Sequence, residues 1–383
     1  MANTLKFGNG TWATKEGSTL AYNDENGNFK PLPFDFSRNT TATRVNKEGL
    51  IEVVSNNEPR IDFLNDSDGA LKLEPQRSNL ALYSEQFDNA AWEYGGVTKT
   101  ANAAISPDGT SNADEIEITT LSTPNIRQTI LVNASTDYTF SFYAKSSELS
   151  VLKLAVFDLN GAAFIFENTE KSITDEWSRV TVSFTTPSGC SSIRVFIFRN
   201  SDSLGSFYVY GAQVEAGSYA TSYIPTQGSA ATRVAEVCSQ TVPSGIIGQT
   251  EGTLFVDVDF DTLSGLNMFV SIRPDASNKI EIYRDGNIIY AETSSSNPFN
   301  ISKTNITAGR HKIAFAYSSG SSAMYINGVL IGSKTDTFTF TSTLDDIYIN
   351  SRGTSFIEQS NYNDFKLYNT RLSNAELATL TTL

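Results

Sequence analysis

Residues 136–144 read TDYTFSFYA, with Tyr138, Phe140 and Phe142 alternating with Asp137, Thr139 and Ser141. A period of two puts one set on one face of an extended chain and the other set on the opposite face, the pattern of a half-buried strand. The same grammar recurs along the chain. VLKLAVFDL at 151–159 runs into Asn160-Gly161, a dipeptide that supplies the positive φ angles of a tight hairpin. WSRVTVSFT at 177–185, SIRVFIFR at 192–199 and SFYVYGAQV at 206–214 follow at regular spacing, as in sandwiches and jelly rolls. After a stretch rich in Gly and Pro, TLFVDVDF at 253–260 and the hairpin AMYINGVLIG at 323–332 open a second strand-rich unit. The predicted fold class is all-β: an N-terminal arm of short hairpins, two tandem β-sandwich (jelly-roll) domains, and one short C-terminal helix. That helix is signalled by the capping box Ser373-Asn374-Ala375-Glu376, with Leu372 and Leu377 as a hydrophobic staple.

At 383 residues the chain exceeds what one core serves, about 250–300 residues. The predicted divisions are an arm at 1–80, a first sandwich at 81–225, a linker at 226–250 and a second sandwich at 251–383. The arm is dense in turn signals (Asn9-Gly10, Asn26-Gly27, Asp68-Gly69) and has only short apolar stretches. It cannot bury Phe7, Trp12, Phe29, Phe34 and Phe36 by itself, so these are the candidate docking residues, received either by the next domain or by another chain. Ala42-Thr43-Arg44-Val45 returns as Ala231-Thr232-Arg233-Val234, which reads as a recurring connector.

A net charge of −14, from 28 Lys and Arg against 42 Asp and Glu, argues against nucleic acid as a partner. No apolar run approaches the roughly 18 residues a membrane helix needs, and the start MANTLKFGNG has no secretory pattern. Neither a membrane partner nor a signal peptide is expected, so synthesis in a host cytoplasm is. Cys190 and Cys238 make neither a disulfide framework nor a metal-ligand spacing, and two unpaired thiols are expected.

The run Leu73-Glu74-Pro75-Gln76-Arg77-Ser78-Asn79-Leu80, with Tyr83-Ser84-Glu85-Gln86-Phe87 and Ala91-Trp92 after it, resembles the opening of a carbohydrate-binding-module-like jelly roll common in phage virion proteins. Ser106-Pro107-Asp108-Gly109-Thr110, ITDEWSRVTVSF at 173–184 and Thr221-Ser222-Tyr223-Ile224-Pro225-Thr226 look like the same module's middle and exit. Residues 250–383 are similar to a laminin-G-like, concanavalin-A-type sandwich through Met324-Tyr325-Ile326-Asn327-Gly328 and Asp364-Phe365-Lys366-Leu367-Tyr368-Asn369. The resemblance implies a bacteriophage fibre or decoration protein at the virion surface, on head or tail. Its implied partners are other virion proteins, further copies of the chain in a homo-oligomer such as a trimer, and host-surface glycans. It also implies that Trp177 packs the core at a strand start.

No catalytic group is expected. Glycosidases of the concanavalin-A type need two carboxylates about 5–9.5 Å apart. Glu115 and Glu117 instead alternate with Ile116 and Ile118 and read as one solvated strand face. His311 is the only histidine, at the head of an apolar strand with no nucleophile motif near it. Asp257, Asp259 and Asp261 share one strand face about 6.6 Å apart, either as a solvent-facing stripe or as part of a calcium site that other loops complete. The resemblance makes calcium the one cofactor to consider, with Asp345, Asp346 and Asp364 as donors, Asn361 beside them, and Asp108 and Asp114 in the first module. The expected protein is a non-enzymatic adhesin. The alternatives are a carbohydrate-active hydrolase with an accessory binding module and a capsid-stabilising decoration protein without a ligand.

Overall fold

The computed structural model describes residues 34–383 throughout and, of residues 1–33, only the backbone of the short strands Leu5–Gly8, Thr14–Lys15, Thr19–Leu20, Tyr22–Asn23 and Phe29–Lys30. The described residues are almost all β, and the one helix among them, Asn374–Leu380, is the predicted one. Ser373 caps it. Its hydroxyl accepts from the Glu376 amide at 3.3 Å, and the Glu376 carboxylate accepts from the Ser373 amide at 2.8 Å. The predicted turn at Asn327-Gly328 is also present, with φ of +51° and +80° joining Ser322–Ile326 to Val329–Lys334. The turn at Asn160-Gly161 is not of the predicted kind. The strands Val151–Asp158 and Ala163–Ser172 are joined by four residues, and the positive φ falls on Ala162.

The chain folds into two compact units that are discontinuous in sequence: residues 1–47, 54–76 and 234–383 form one, residues 48–53 and 77–233 the other. This differs from the four consecutive segments expected. In the first unit, Asp35–Ser37 pairs with Val237–Thr241 in a seven-stranded antiparallel sheet. Ala70–Leu73 extends the eight-stranded sheet by pairing with Ser360–Tyr368, and Arg60–Asp62 pairs in turn with Ala70–Leu73. Residues 34–76 therefore do not stand as a separate arm, because strands too short to own a core gain one by joining the edge of an existing sheet. Phe34 and Phe36 are core residues, 1% and 4% exposed, and Phe34 meets Phe365 edge-on at 6.4 Å. Trp12 and the side chains of Phe7 and Phe29 lie outside the described residues. The expected linker is ordered too. It contains Ala231–Arg233 and Val237–Thr241 and the buried residues Arg233, Glu236 and Cys238.

What ties the early segment into the first unit is a buried charge cluster. Arg38, Arg60, Glu74 and Glu236 are all fully buried. Glu236 accepts from Arg38 at 2.7 Å, from Arg60 Nε at 2.8 Å and from the Glu74 amide at 3.0 Å. Arg60 also reaches Glu74 at 2.9 Å and the Thr43 carbonyl at 2.8 Å, while Arg38 donates to the carbonyls of Thr40, Glu58 and Ser55. Burial alone would lower the Arg60 pKa, but the two carboxylates hold it above its ordinary value.

The second unit is a sandwich of two five-stranded antiparallel sheets. The front sheet runs Glu93–Gly95, Asn125–Leu131, Ser192–Arg199, Val151–Asp158, Ala163–Ser172 in spatial order; the back sheet runs Val97–Ala104, Ala113–Ile118, Gly205–Ala216, Asp137–Lys145, Ser178–Thr185. Tyr138, Phe140 and Phe142 point into the core between them, as predicted. Of the opposite set, Asp137 at the strand start is exposed, while Thr139 and Ser141 are buried as well, both 0% exposed. Chain entering and leaving the unit lies over them. Thr139 donates to the Gly217 carbonyl at 2.8 Å, Arg179 bridges Ser141 and the Thr221 carbonyl, and the Asn79 amide donates to the carbonyls of Ala212 and Ile224. Both cysteines are free and buried.

Removing one member of a buried ion cluster strands the others, at about 3–5 kcal/mol. Glu236→Ala, which takes the carboxylate from Arg38 and leaves Arg60 with Glu74 alone, is expected to cost that much in a urea unfolding titration. A loss within the range of a surface mutation would show that the cluster does not hold the first unit together.

Candidate carbohydrate-binding face

Because the back sheet of the second unit is covered by its own chain, the front sheet presents the open face. Cross-strand register decides which side chains share it. Phe196 lies opposite Arg127 on one side and Ala155 on the other; Phe157 lies opposite Arg194 and Phe164. None of the three phenylalanines belongs to the core cluster. Phe157 and Phe164 are half-buried on this face and Phe196, 4% exposed, is covered beside them; the rings are continuous, with centroids 4.9 Å apart for Phe157 and Phe164 and 6.3 Å for Phe164 and Phe196. Guanidinium groups border it. Arg199 sits 4.6 Å from the centre of Phe164, and Arg127 sits 5.9 Å from that of Phe196. Glu167 pairs with Arg199, and Glu93 with Arg127 at 3.0 Å. Arg194 makes only a long 3.5 Å contact with Thr129.

The same strands lead to a polar cleft. Lys153 precedes Phe157 by four residues on one strand face, about 13 Å at 3.3 Å per residue. It pairs with Asp202 at 2.6 Å and lines a cavity of about 280 Å³ with Glu170, Asn200 and Glu148. Aromatic faces offer C–H-lined ring surfaces a place to stack, and guanidinium, ammonium and amide groups offer hydroxyls hydrogen bonds. An extended polyhydroxylated ligand could use both along this face.

A second polar group is buried beside the back-sheet strand Gly205–Ala216. The Tyr210 hydroxyl is 3.1 Å from Glu85 and 3.2 Å from Asp108, and Tyr223 donates to Glu85 at 3.0 Å. Burial raises the Glu85 carboxyl above the ordinary glutamate value. Burial acts the same way on Asp108, but hydrogen bonds from Ser106, Thr110 and Asn112 outweigh it and hold that carboxyl below its ordinary value. Burial and the two carboxylates push the Tyr210 phenol up. Trp177, expected in the core, is outside it. It is half-buried, its indole donates to the Ile105 carbonyl at 3.0 Å, and the Lys145 ammonium lies 5.2 Å from its ring.

The other sequence candidates resolve into structural roles. Glu117 accepts from the Thr98 hydroxyl at 2.7 Å on a strand surface, and Asp114 accepts backbone amides of Phe87 and Asn102. His311 is 8% exposed, stacks on Phe260 at 5.3 Å, donates from Nε2 to the Thr307 carbonyl and accepts at Nδ1 from Asn327. Asp345, Asp346 and Asp364 are not brought together. Asp346 lies in the seven-stranded sheet and accepts from the Thr241 hydroxyl at 2.5 Å, while Asp364 lies in the eight-stranded sheet and pairs with Lys366. Asp257 is no solvent-facing stripe member either: it is 3% exposed and clamped by both arms of Arg310 at 2.7 and 2.9 Å. Among the described residues, no three His, Cys, Asp or Glu side chains are grouped to hold a metal ion.

Sequence reasoning missed the Phe157, Phe164 and Phe196 surface. Each sits in a nearly continuous apolar run, and the ladder shifts register between Ile126 and Arg127 and on both sides of Val156, so alternation alone misassigns the faces.

Residues 79–204, which carry the whole of this aromatic face, match the family model of a carbohydrate binding domain. Among solved structures, the chain is similar to the Ruminococcus gnavus IT-sialidase CBM40 bound to alpha2,3 sialyllactose (13% identity, 36% of this chain and 84% of that one, TM-score 0.32). It is also similar to the leech intramolecular trans-sialidase (16%, 36% and 24%, 0.32) and to the binding domain of botulinum neurotoxin DC in complex with rat synaptotagmin II (12%, 38% and 39%, 0.33). No curated protein matches the chain. The match to a carbohydrate binding domain covers residues 79–204, under half of the chain; the virion assignment has the sequence resemblance alone behind it.

A carboxyl whose folded pKa is raised favours the neutral form, so its contribution to stability is complete below the unfolded pKa and is lost as pH rises through the folded one. Glu85→Gln, which keeps the oxygen that Tyr210 and Tyr223 bond, is therefore expected to stabilise the protein at neutral pH and to make no difference in acid. Denaturant midpoints of both proteins across that range would show the gap open with pH, and a constant gap would contradict the assignment.

Proposed function

We propose that the second unit binds glycan on the open face of its front sheet and that the chain acts as a non-enzymatic adhesin. The observation that carries this is the coincidence of the Phe157, Phe164 and Phe196 surface, with its guanidinium border, and the segment that matches a carbohydrate binding domain. The finer reading is that the adhesin is displayed on a bacteriophage particle, meeting host-surface glycans and other virion proteins, with several copies assembled together. Its support is the resemblance of residues 73–92 and 221–226 to virion modules.

A second reading, hydrolysis of the bound glycan, has one observation in its favour. Glu85 and Asp108 meet the same Tyr210 hydroxyl and have carboxyl pKa values displaced in opposite directions, the arrangement that separates an acid from a base. Against it, Glu85 and Asp108 hold hydrogen bonds to the unit's own Tyr223, Thr110 and Asn112, which gives both a structural occupation.

A glycan array with the full chain, followed by titration calorimetry on the hits, tests the first reading. Phe157→Ala and Phe164→Ala are each expected to weaken binding about tenfold, equivalent to about 1.4 kcal/mol, with the circular dichroism spectrum unchanged. Binding that survives both substitutions would move the site elsewhere. Reducing-sugar release on the same hits separates the two readings, because release abolished by Glu85→Gln would establish the hydrolase.

A further inference from the structure

In the first unit, the loop of residues 63–69 folds over the outer face of the eight-stranded sheet and closes a small cavity of about 30 Å³. Asp62, Asn65, Asp66, Asp259, Asn361 and Asn363 line it, with Arg310 at its edge. The strand Ser360–Tyr368 carries an irregularity here: Asp257 faces Asp364 and Val258 faces Tyr362, so Asn363 is the extra residue. Asn361 and Asn363 are each 6% exposed, and the side-chain oxygen of each is buried with no hydrogen-bond donor among the described residues. The orientation of Asn363 is fixed, since its amide nitrogen donates to Asp66 at 2.6 Å and leaves the oxygen to be satisfied by something else.

The charges around the cavity are unbalanced in the same direction. Arg310 is committed to Asp257 and to Asp66, at 3.0 Å, and Lys72 to Asp62 at 3.2 Å. Asp259 has no such partner among the described residues. The gathered groups are hard oxygen donors, neutral and anionic. A water molecule could donate to two of the oxygens but would leave the carboxylate uncompensated, whereas Ca²⁺ takes six to eight such oxygens at about 2.3–2.6 Å, some of them from water. A water-sized particle needs only about 10–15 Å³.

We propose that this cavity is a calcium site, with Asp259, Asn361 and Asn363 as protein ligands and Asp66 and Asp62 adding charge. The carboxylates by themselves form no metal cluster; the two orphaned amide oxygens are what make the position a site. A bound ion would link the 63–69 loop to two strands of the sheet, so binding would stabilise the first unit.

The test is calorimetric titration of CaCl₂ into chelator-treated full-length chain, with thermal unfolding in Ca²⁺ and in EDTA. One site per chain and a higher unfolding temperature in Ca²⁺ are expected. Asp259→Asn, nearly isosteric, should weaken binding about tenfold or more and remove the temperature shift. Asp346→Asn, in the other sheet, should change neither. Unfolding in EDTA shows whether Asp259→Asn is folded on its own account. Absence of heat and of any shift with wild-type chain would overturn the site, as would a response that persists in Asp259→Asn.

Discussion

Glu236 is the carboxylate on which the first unit depends, because it receives Arg38, Arg60 and the Glu74 amide from three separate stretches of chain. Ion pairs in a protein interior add little net stability, since desolvation offsets attraction, but leaving one partner without the other is expensive. The cluster thus acts as a specification. Any arrangement that brings residues 34–76 to the sheets without Glu236 buries two guanidinium groups with only the Glu74 carboxylate between them, and any that leaves them out strands Glu236. That constraint explains why strands of three or four residues, which could not fold alone, join the sheets through partner strands 200 or more positions later.

In the second unit the decisive constraint is which sheet face the chain itself covers. Entry and exit segments bury Thr139, Ser141, Gln213 and Glu215 on the back sheet, and the hydroxyls, amide and carboxylate there are satisfied internally. The front sheet has no such cover, yet it places three phenylalanines on its outer side. A protein that needed this face only for solubility would gain from polar residues there. The guanidinium groups of Arg127 and Arg199 partly shield the rings, which keeps the surface dispersed in water while leaving ring edges and faces for a ligand.

Local features were legible in the sequence because their causes are local. The capping box at Ser373 and Glu376, the turn at Asn327-Gly328 and the inward set Tyr138, Phe140 and Phe142 each depend on residues within a few positions of one another. What stayed hidden depends on pairing across long stretches. Arg60 and Glu236 are 176 positions apart, and neither carries a local mark of its burial. The four-residue connection after Asp158 and the register shifts beside Arg127 and Val156 changed the phase of alternation. The face that Phe157 and Phe196 share was therefore not readable from alternation. The acidic stripe failed for the related reason that Asp257 is clamped by Arg310, 53 positions away, which its own strand does not reveal.

The charge distribution limits how a ligand could be recognised. A chain with net charge −14 generates a field that opposes approach of anionic surfaces, and at physiological salt this field fades within about 8 Å. The cations on the front sheet are few, and Arg127, Arg199 and Lys153 are already matched by Glu93, Glu167 and Asp202. Long-range steering therefore contributes little at this face, and recognition must come from contact. Stacking on the phenylalanine surface and hydrogen bonds to the paired side chains both operate at that range, and both suit a ligand whose surface alternates C–H faces with hydroxyl groups. The same arithmetic treats the cavity of the first unit differently: there the carboxylates exceed the cations beside them at close quarters, under low solvent exposure, and a small cation is the complement that geometry and charge share.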